Sequence, residues 1–185
     1  LQGLVARGEL LIDLRGPKLF ANKHLSGSVF LPPNKDLATW AGWLLSYQTP
    51  FSVLLPDASE LSQALKAFRS IGLDNLRAFY LPDALVGQNL VGSERIEASQ
   101  LDAQNDFVLD VRSRKEYLTG HLPGAHHIHL GQLESRIKEL PDSLVVHCQS
   151  GMRSLIATSL LERAGKHPCD IIGGYSALEA TRVAV

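Results

Sequence analysis

Residues 143–164 read SLVVHCQSGMRSLIATSLLERA, and this stretch decides the fold because a short polar turn joins an apolar run to a helix-like run. The apolar run predicts a buried strand, and the apolar residues after Arg153 recur at helical spacing. Gly165 suits the end of that helix. The turn is therefore predicted to lie at the carboxyl end of a strand, which is where open α/β sheets bind ligands.

A single thiol, that of Cys148, lies in this turn. Convergent amide N–H groups and a helix start would form an anion cradle around it and favour the thiolate, which is the reactive form of cysteine. Gly151 can adopt the positive φ that lets the amides converge. We therefore predict that Cys148 is a nucleophile, the alternative being an inert cysteine at the end of a core strand. The predicted substrate-binding residues are those that follow it: Gln149, Ser150, Gly151, Met152, Arg153 and Ser154.

The length of this loop resembles the active-site loop of the rhodanese (sulfurtransferase) family, with four residues between Cys148 and Arg153. Cysteine-dependent phosphatases resemble it less, because their loop has one residue more and forms a wider ring. Residues 108–112 (VLDVR) and 120–125 (GHLPGA) resemble the family's opening motifs, and residues 171–178 (IIGGYSAL) resemble its closing strand and turn. The resemblance extends from about Ile96 to the end of the chain.

The resemblance implies sulfur transfer through a persulfide on Cys148, without a cofactor or a metal. The sulfur donor would be thiosulfate or a low-molecular-weight persulfide, and the acceptor would be a thiol or cyanide. Two alternatives remain open. One is a partner-docking or sulfur-carrier module of a larger persulfide dioxygenase-type fusion protein. The other is a cysteine-dependent phosphatase or arsenate reductase, which the loop length disfavours.

Three residues of the opening motifs are expected to support the site rather than to react. Asp110 and Arg112 lie two apart at a strand end and so share one face, where charge-assisted hydrogen bonds can hold neighbouring loops. His121 is expected to stabilise a turn, because sulfur transfer by a thiolate needs no general base.

The chain carries a second copy of the opening motif. Residues 12–27 align on residues 109–124 without a gap, which pairs Asp13 with Asp110, Arg15 with Arg112 and His24 with His121. Such an internal match predicts duplicated domains. In the first copy Pro56 is placed at about the cysteine position, and residues 56–59 contain no cysteine, glycine or arginine. This copy is predicted to be degenerate.

Two α/β domains follow from this pattern, each a small, mainly parallel sheet with helices on both faces. Residues 1–90 would be the degenerate rhodanese-like domain, and residues 91–185 the active one. The apolar runs predict buried strands at residues 10–14, 52–55, 78–81, 107–111, 144–147 and 170–172. Turn-forming residues near 86–97 mark the predicted linker.

Composition excludes several classes of function. A net charge of −1 and a pI near 6.7 leave no basic face for nucleic acid or an anionic membrane. The chain has no apolar run of membrane-spanning length and only two cysteines, so a reduced, cytoplasmic setting is expected. Cys169 is expected to be inert. The histidines at 126, 127 and 129 do not predict a metal site, because no cysteine or carboxylate lies beside them at ligand spacing.

The natural protein is expected to be longer. The chain begins at Leu1 rather than at methionine and runs almost directly into the first strand. A compact degenerate domain followed by an active one is similar to the C-terminal part of fusion proteins with a metallo-β-lactamase-like domain, and the resemblance implies such a domain before Leu1.

Overall fold

The computed structural model describes residues 1–183, with the side chains of all of these except Gln2, Arg182 and Val183. The chain divides into two compact units, Leu1–Gly92 and Ser93–Val185. Each unit is an α/β fold built around its own parallel sheet. Within residues 1–183, no helix combines the length and the apolar character that a membrane span requires.

The first unit contains six strands and four α-helices. The strands are β1 (Leu10–Asp13), β2 (His24–Leu25), β3 (Val29–Phe30), β4 (Phe51–Leu54), β5 (Leu76–Tyr80) and β6 (Leu90–Val91). The helices are α1 (Gln2–Ala6), α2 (Pro17–Asn22), α3 (Leu37–Leu44) and α4 (Leu61–Arg69). The main sheet has the order β3-β1-β4-β5 with all pairs parallel, while β2 and β6 form a separate antiparallel pair.

Within residues 93–183, the second unit contains five strands and four α-helices. The strands are β7 (Glu94–Ile96), β8 (Val108–Asp110), β9 (His126–His127), β10 (Ser143–His147) and β11 (His167–Ile171). The helices are α5 (Arg114–Thr119), α6 (Leu133–Arg136), α7 (Met152–Arg163) and α8 (Gly174–Val183). The sheet has the order β7-β11-β10-β8-β9, and every pair is parallel.

The centre of each sheet is buried on both faces. Successive residues of a strand point to opposite faces, and in β10 the residues from Leu144 to His147 are all buried. Val145 packs with Tyr175 and Leu178 of α8 on one face. β4 is buried along its whole length in the same way. Continuous apolar strands are therefore explained by cover on both faces, as in other parallel sheets.

The six strands predicted from apolar runs are all present, but their bounds differ. β11 begins at His167, three residues before the predicted start, because parallel pairing with β10 extends it over residues 167–169, which form no apolar run. The segment predicted as a linker, residues 86–97, is more regular than expected. It contains β6 and β7, and β7 completes the second sheet by pairing with β11. These two strands carry no apolar run because their burial is low.

The two main sheets share one strand order. When the second sheet is read from its opposite edge, its order is β9-β8-β10-β11-β7. In that direction β9, β8, β10 and β11 correspond to β3, β1, β4 and β5, and β7 is an additional edge strand. The equivalent contacts are also similar. Leu31 N–H donates to Asp13 O at 3.2 Å in the first unit, and Ile128 N–H donates to Asp110 O at 3.1 Å in the second.

Candidate active site

Cys148 directly follows β10 and begins the loop that leads into α7. The residue is 1% exposed, so the thiol lies at the bottom of the loop. The N–H of Gly151 donates a hydrogen bond to Cys148 Sγ, with a nitrogen–sulfur distance of 3.1 Å. The loop therefore closes on the sulfur atom and presents a backbone donor to it.

Gly151 is the residue that allows this closure. Its φ is +104°, in the left-handed region that glycine adopts most readily, and it caps the N-terminus of α7. Residues 152–154 form the first turn of this twelve-residue helix. Their N–H groups have no acceptor within the helix and carry its partial positive charge. An anion at Cys148 Sγ is thus placed at a helix start.

The start of α8 orients the other side of the loop. Tyr175 N–H donates to Cys148 O at 2.7 Å, and Ser176 N–H donates to Gln149 O at 3.1 Å. In trans peptides the N–H points opposite to the carbonyl, so the N–H groups of Gln149 and Ser150 point away from α8. The approach is close at Gly174, where a Cβ atom would lie 2.5 Å from Cys148 O.

Asp110 and Arg112 form a buried ion pair behind the loop. Arg112 is 1% exposed and donates from Nε and Nη2 to the Asp110 carboxylate at 2.7–3.0 Å. Its remaining Nη1 donates to Gln149 Oε1 at 3.0 Å, and the guanidinium carbon lies 3.9 Å from the centre of the Tyr175 ring. Gln149 Nε2 in turn donates to Ser176 Oγ at 3.0 Å. The ion pair therefore connects β8, the loop and α8.

Arg153 points to a carboxylate rather than to open solvent. Its two terminal nitrogens donate to the two Glu116 oxygens at 2.7 and 2.6 Å. These bonds, together with those from Ser113, lower the pKa of Glu116 to about 2, although partial burial opposes the shift. Glu116 also lines a cavity of about 410 Å³ whose walls include Arg112, Gln149 and Tyr175. The loop cation is thus balanced by an anion in the wall of this cavity.

Ser154 attaches the helix start to the neighbouring strand. Its Oγ lies 2.5 Å from Asp170 Oδ1, and Arg95 Nε donates to Asp170 Oδ2 at 3.0 Å. Burial raises the pKa of Asp170, while the bonds from Ser154 and Arg95 act in the opposite direction. Ser150 is exposed and Met152 is partly buried at the loop entrance. The Ser154 side chain is therefore buried against β11 and is not open to solvent.

Four histidines of the second unit lie in different environments. His121 Nδ1–H donates to Tyr117 O at 2.9 Å, and the two rings are stacked with centroids 3.9 Å apart. His127 stacks on Tyr117 from a centroid distance of 4.4 Å and donates to Arg112 O. Burial, followed by the cation of Arg153, lowers the pKa of His129. His147 is fully buried, and burial lowers its pKa despite the Asp110 carboxylate 3.8 Å from its Nε2.

No group of three metal-ligating side chains occurs among residues 1–183. His126 and His127, which are adjacent in β9, point to opposite faces of the strand.

Cys169 lies away from the loop. It pairs with Val145 in the sheet, and Cys148 is three residues further along the strand direction, or about 10 Å. That separation is larger than a disulfide can span. Burial, followed by the charges of Glu94, Asp170 and Asp106, raises the pKa of Cys169 to about 11. Cys169 is therefore a neutral thiol at physiological pH.

The first unit repeats the supporting contacts but not the cysteine loop. Arg15 donates to Asp13 and to Lys23 O as Arg112 donates to Asp110 and to Gly120 O. His24 Nδ1–H donates to Phe20 O and stacks on that ring, as His121 does on Tyr117.

The register of β4 shows which residue replaces the thiol. Leu54 pairs with Asp13 as His147 pairs with Asp110, so Leu55 occupies the position of Cys148. The prediction that placed Pro56 there was therefore displaced by one residue. Leu55 is buried and lines a cavity of about 340 Å³ together with Leu14 and Leu37. Asp57 Oδ1 accepts the N–H of Ser59 at 2.8 Å, so the chain's own carboxylate binds a loop amide.

Sequence reasoning did not assign roles to Glu116, Asp170, Gly174 or Tyr175. Glu116 had a usable signal, since Ser113 and Glu116 form a capping box at the start of α5. The double glycine at 173–174 also signals positive φ, which both residues adopt. Asp170 had no such signal, because its contacts with Ser154 and Arg95 join distant parts of the sequence.

Comparison with known proteins gives a consistent result. A profile described as "Rhodanese-like domain" matches residues 94–181. YtwF of Bacillus subtilis, provisionally named a sulfurtransferase, is 32% identical over 88 residues, which cover 46% of this chain and 82% of YtwF. Thiosulfate sulfurtransferase 16 of Arabidopsis thaliana, named as chloroplastic, is 37% identical over 84 residues, covering 37% of this chain and 70% of the relative.

YrkF of Bacillus subtilis is provisionally named a sulfur carrier protein. It is 42% identical over 60 residues, which cover 31% of this chain. The match spans about a third of the length of YrkF.

Proposed function

The chain belongs to the rhodanese-like domain family, and from this premise we propose that it is a sulfurtransferase that carries sulfane sulfur as a persulfide on Cys148. The observation that carries the proposal is the hydrogen bond from Gly151 N–H to Cys148 Sγ at a helix start. A backbone donor and the first-turn N–H groups stabilise negative charge on sulfur, both in the thiolate and in the persulfide.

The first half-reaction loads the enzyme. Cys148 thiolate attacks the outer sulfur of thiosulfate or of a low-molecular-weight persulfide. A new sulfur–sulfur bond forms, and the donor's own sulfur–sulfur bond breaks with its electron pair on the leaving sulfite or thiolate. The persulfide extends about 2 Å beyond Sγ, toward the mouth of the loop. Each well-placed donor in a comparable oxyanion site is worth roughly 3 kcal/mol.

The second half-reaction returns the thiolate. An acceptor thiolate, or cyanide, attacks the outer sulfur of the persulfide, and the bond electrons return to Cys148. No general base is required, because the acceptor attacks as an anion. We propose that His121 acts only by fixing the turn after α5, through its bond to Tyr117 O.

The remaining predicted site residues are proposed to position the loop. Asp110 orients Arg112, which holds Gln149 against α8, and Ser154 holds the helix start against β11. Ser150 and Met152 are proposed to shape the entrance, where they are at least partly exposed. Arg153 is proposed to hold α5 against α7 through Glu116.

The first unit is proposed to be a degenerate, non-catalytic rhodanese-like domain, with the domain bounds near residues 1–90 and 91–185. Its strand order and its Asp13–Arg15 pair support a common fold. Leu55 in place of a thiol, and the Asp57 carboxylate on a loop amide, support the absence of an anion site. A cytoplasmic setting and a metallo-β-lactamase-like domain before Leu1 stay predictions.

A sulfur-carrier role is a second candidate, favoured by the similarity to YrkF. A carrier would form the same Cys148 persulfide but would deliver it to a specific protein partner. Stoichiometric loading with negligible turnover on thiols and cyanide would select the carrier, whereas repeated turnover would select the enzyme.

Intact-mass spectrometry after incubation with thiosulfate or an alkyl persulfide tests both candidates. We expect a gain of one sulfur atom that cyanide reverses, that Cys148→Ser abolishes and that Cys169→Ser retains. If no donor adds sulfur while Cys148 remains open to alkylation, the sulfur-transfer proposal is wrong. Hydrolysis of an aryl phosphate that requires Cys148 would instead support the phosphatase alternative.

A further inference from the structure

The contact between Arg153 and Glu116 determines how much charge the cysteine loop presents. Arg153 is the one arginine or lysine between Cys148 and the end of the first turn of α7. Both of its terminal nitrogens are bound by Glu116, at 2.7 and 2.6 Å. The two side chains are 20% and 32% exposed, so solvent screens their charges only in part. The net charge of the pair is therefore close to zero.

The position of Glu116 is fixed independently of Arg153. Ser113 N–H and Oγ–H both donate to Glu116 Oε2, at 3.0 and 2.6 Å, and Glu116 N–H donates back to Ser113 Oγ. This capping box attaches the carboxylate to the start of α5. Glu116 therefore holds the guanidinium from a rigid element that does not belong to the loop.

The charge balance between Arg153 and Glu116 matters because sulfur donors differ in charge. Thiosulfate is a dianion, whereas an alkyl persulfide carries one negative charge at most. A free guanidinium beside the thiol would attract the dianion more strongly, since the Coulomb energy scales with the product of the charges. A balanced guanidinium removes much of that difference and leaves recognition to the backbone amides.

We propose that Glu116 is the specificity-determining residue of the cysteine loop: by neutralising Arg153 it selects singly charged sulfur donors, such as alkyl persulfides, over the thiosulfate dianion. The naming of the donor class rests on the proposed sulfurtransferase function. The electrostatic role of Glu116 does not, because it concerns the potential at Cys148 Sγ whatever reaction that atom performs.

The test compares two alkylating reagents of the same chemistry. Iodoacetate carries one negative charge and iodoacetamide none, so the ratio of their rate constants at Cys148 reports the local potential. Glu116→Gln keeps the capping box, because glutamine serves in its third position as well as glutamate does. We expect this variant to raise the iodoacetate-to-iodoacetamide ratio by about three- to tenfold, the effect of one unbalanced charge at partly screened range.

The chain supplies a matched control. Arg136 and Glu139 form a similar ion pair at 2.6 Å on the segment between β9 and β10. Glu139→Gln changes net charge by the same amount, and we expect it to leave the ratio at its wild-type value. Each variant is made with Cys169→Ala, so that only Cys148 is alkylated. An unchanged ratio in Glu116→Gln, or an equal rise in Glu139→Gln, would overturn the proposal.

Two further variants complete a double-mutant cycle. Arg153→Gln leaves the Glu116 carboxylate unbalanced and is expected to lower the ratio below wild type. The double variant, Glu116→Gln with Arg153→Gln, restores neutrality and is expected to return the ratio to near the wild-type value. The proposal is contradicted if Arg153→Gln does not lower the iodoacetate-to-iodoacetamide ratio. It is also contradicted if this ratio stays raised in the double variant.

Steady-state kinetics then tests the donor class. Glu116→Gln is expected to raise kcat/KM for thiosulfate relative to that for an alkyl persulfide by a factor of about three or more, mainly through a lower KM for thiosulfate. A ratio of kcat/KM values that does not change would overturn the assignment of donor class. Failure of Cys148 to acquire sulfur would instead remove the sulfurtransferase function and leave the alkylation result intact.

Discussion

Two glycines shape the loop around the Cys148 thiol: Gly151, which closes the loop, and Gly174, which lets α8 approach it. Gly174 has a φ of +61°, and a Cβ atom there would lie 2.5 Å from Cys148 O and 2.9 Å from Gln149 O. Both obstacles are backbone atoms, which cannot turn aside as a flexible side chain can. The loop conformation thus depends on a missing side chain in a different element.

Gly174→Ala is expected to reduce sulfur loading of Cys148 at least tenfold and to lower stability by about 1–3 kcal/mol, because the loop must move and φ is strained. Loading by mass spectrometry and urea unfolding measure the two effects. Gly165→Ala is the control, since Gly165 has a similar φ of +81° but no atom within 4 Å of the added Cβ. Equal loss of loading in both variants would show that the clash at Cys148 O is unimportant.

The two cysteines are expected to differ in reactivity. The pKa of Cys169 is raised to about 11, so this thiol stays protonated at pH 8 and becomes a nucleophile only in strongly alkaline solution. Limited iodoacetamide treatment at pH 8, followed by peptide mass mapping, should label Cys148 and spare Cys169. Cys169→Ala should leave sulfur loading and turnover unchanged. A slower turnover of this variant would mean that Cys169 takes part in resolving the persulfide.

At the scale of elements, the cysteine loop and the start of α7 are held by contacts from three other elements. Glu116 of α5 binds Arg153, Asp170 of β11 binds Ser154, and the first N–H groups of α8 bind the loop carbonyls. The helix itself provides partial positive charge, but its direction relative to Cys148 depends on these attachments. Loss of any one of them should loosen the anion site without removing the helix.

The ion pair between α5 and α7 predicts a pH dependence of stability. The pKa of Glu116 is about 2 in the folded chain against an ordinary value of 4.5. A lowered pKa means that the ionised carboxylate stabilises the fold fully above about pH 4.5, and that this stabilisation is lost as pH falls toward 2. Allowing for partial exposure, the contribution is on the order of 1–2 kcal/mol.

Urea unfolding of the wild type and of Glu116→Gln between pH 6 and pH 3 checks this dependence. The variant should be less stable at pH 6 by about 1–2 kcal/mol. The difference should shrink as pH falls, because the wild type loses the ionised carboxylate while glutamine has none to lose. A constant difference over this range would show that Glu116 acts through its hydrogen-bonding shape and not through its charge.

At the scale of the whole molecule, a buried Asp–Arg pair occurs in both units, whereas the cysteine loop lies in the second unit. Asp13 and Asp110 are both fully buried, and each binds the arginine two residues ahead. Among the described residues, the arginine of the second unit continues to a loop side chain, from Arg112 Nη1 to Gln149 Oε1, and that of the first unit does not. The two pairs therefore have the same local structure but different contacts with the loop that follows the central strand.

Matched substitutions in the two units separate stability from function. Asp13→Asn and Asp110→Asn should each destabilise the protein by about 3 kcal/mol, because a buried guanidinium loses its counter-charge. Only Asp110→Asn should slow the loading of Cys148 with sulfur, through the loosened Gln149. Urea unfolding and the rate of loading measure the two properties. Slower loading in a folded Asp13→Asn variant would mean that the first unit takes part in the reaction.

Short-range patterns were sufficient to predict much of this molecule. Apolar runs placed the six principal strands, since burial on both faces leaves a continuous signal. Local geometry, which neighbours in the chain determine, produces the strand–turn–helix around Cys148. It also brings together residues two apart in a strand, such as Asp110 and Arg112. The matching motifs of the two halves could be recognised in the sequence for the same reason.

Tertiary structure alone decided the rest, because the remaining contacts join residues far apart in the chain. Arg153 and Glu116 are separated by 37 positions, and nothing in the periodicity of either helix indicates that they meet. The strands β6 and β7 in the predicted linker carry no apolar run, since their pairing depends on the backbone rather than on buried side chains. The one-residue displacement that puts Leu55 at the cysteine position follows from strand register, which hydrogen bonds across the sheet determine.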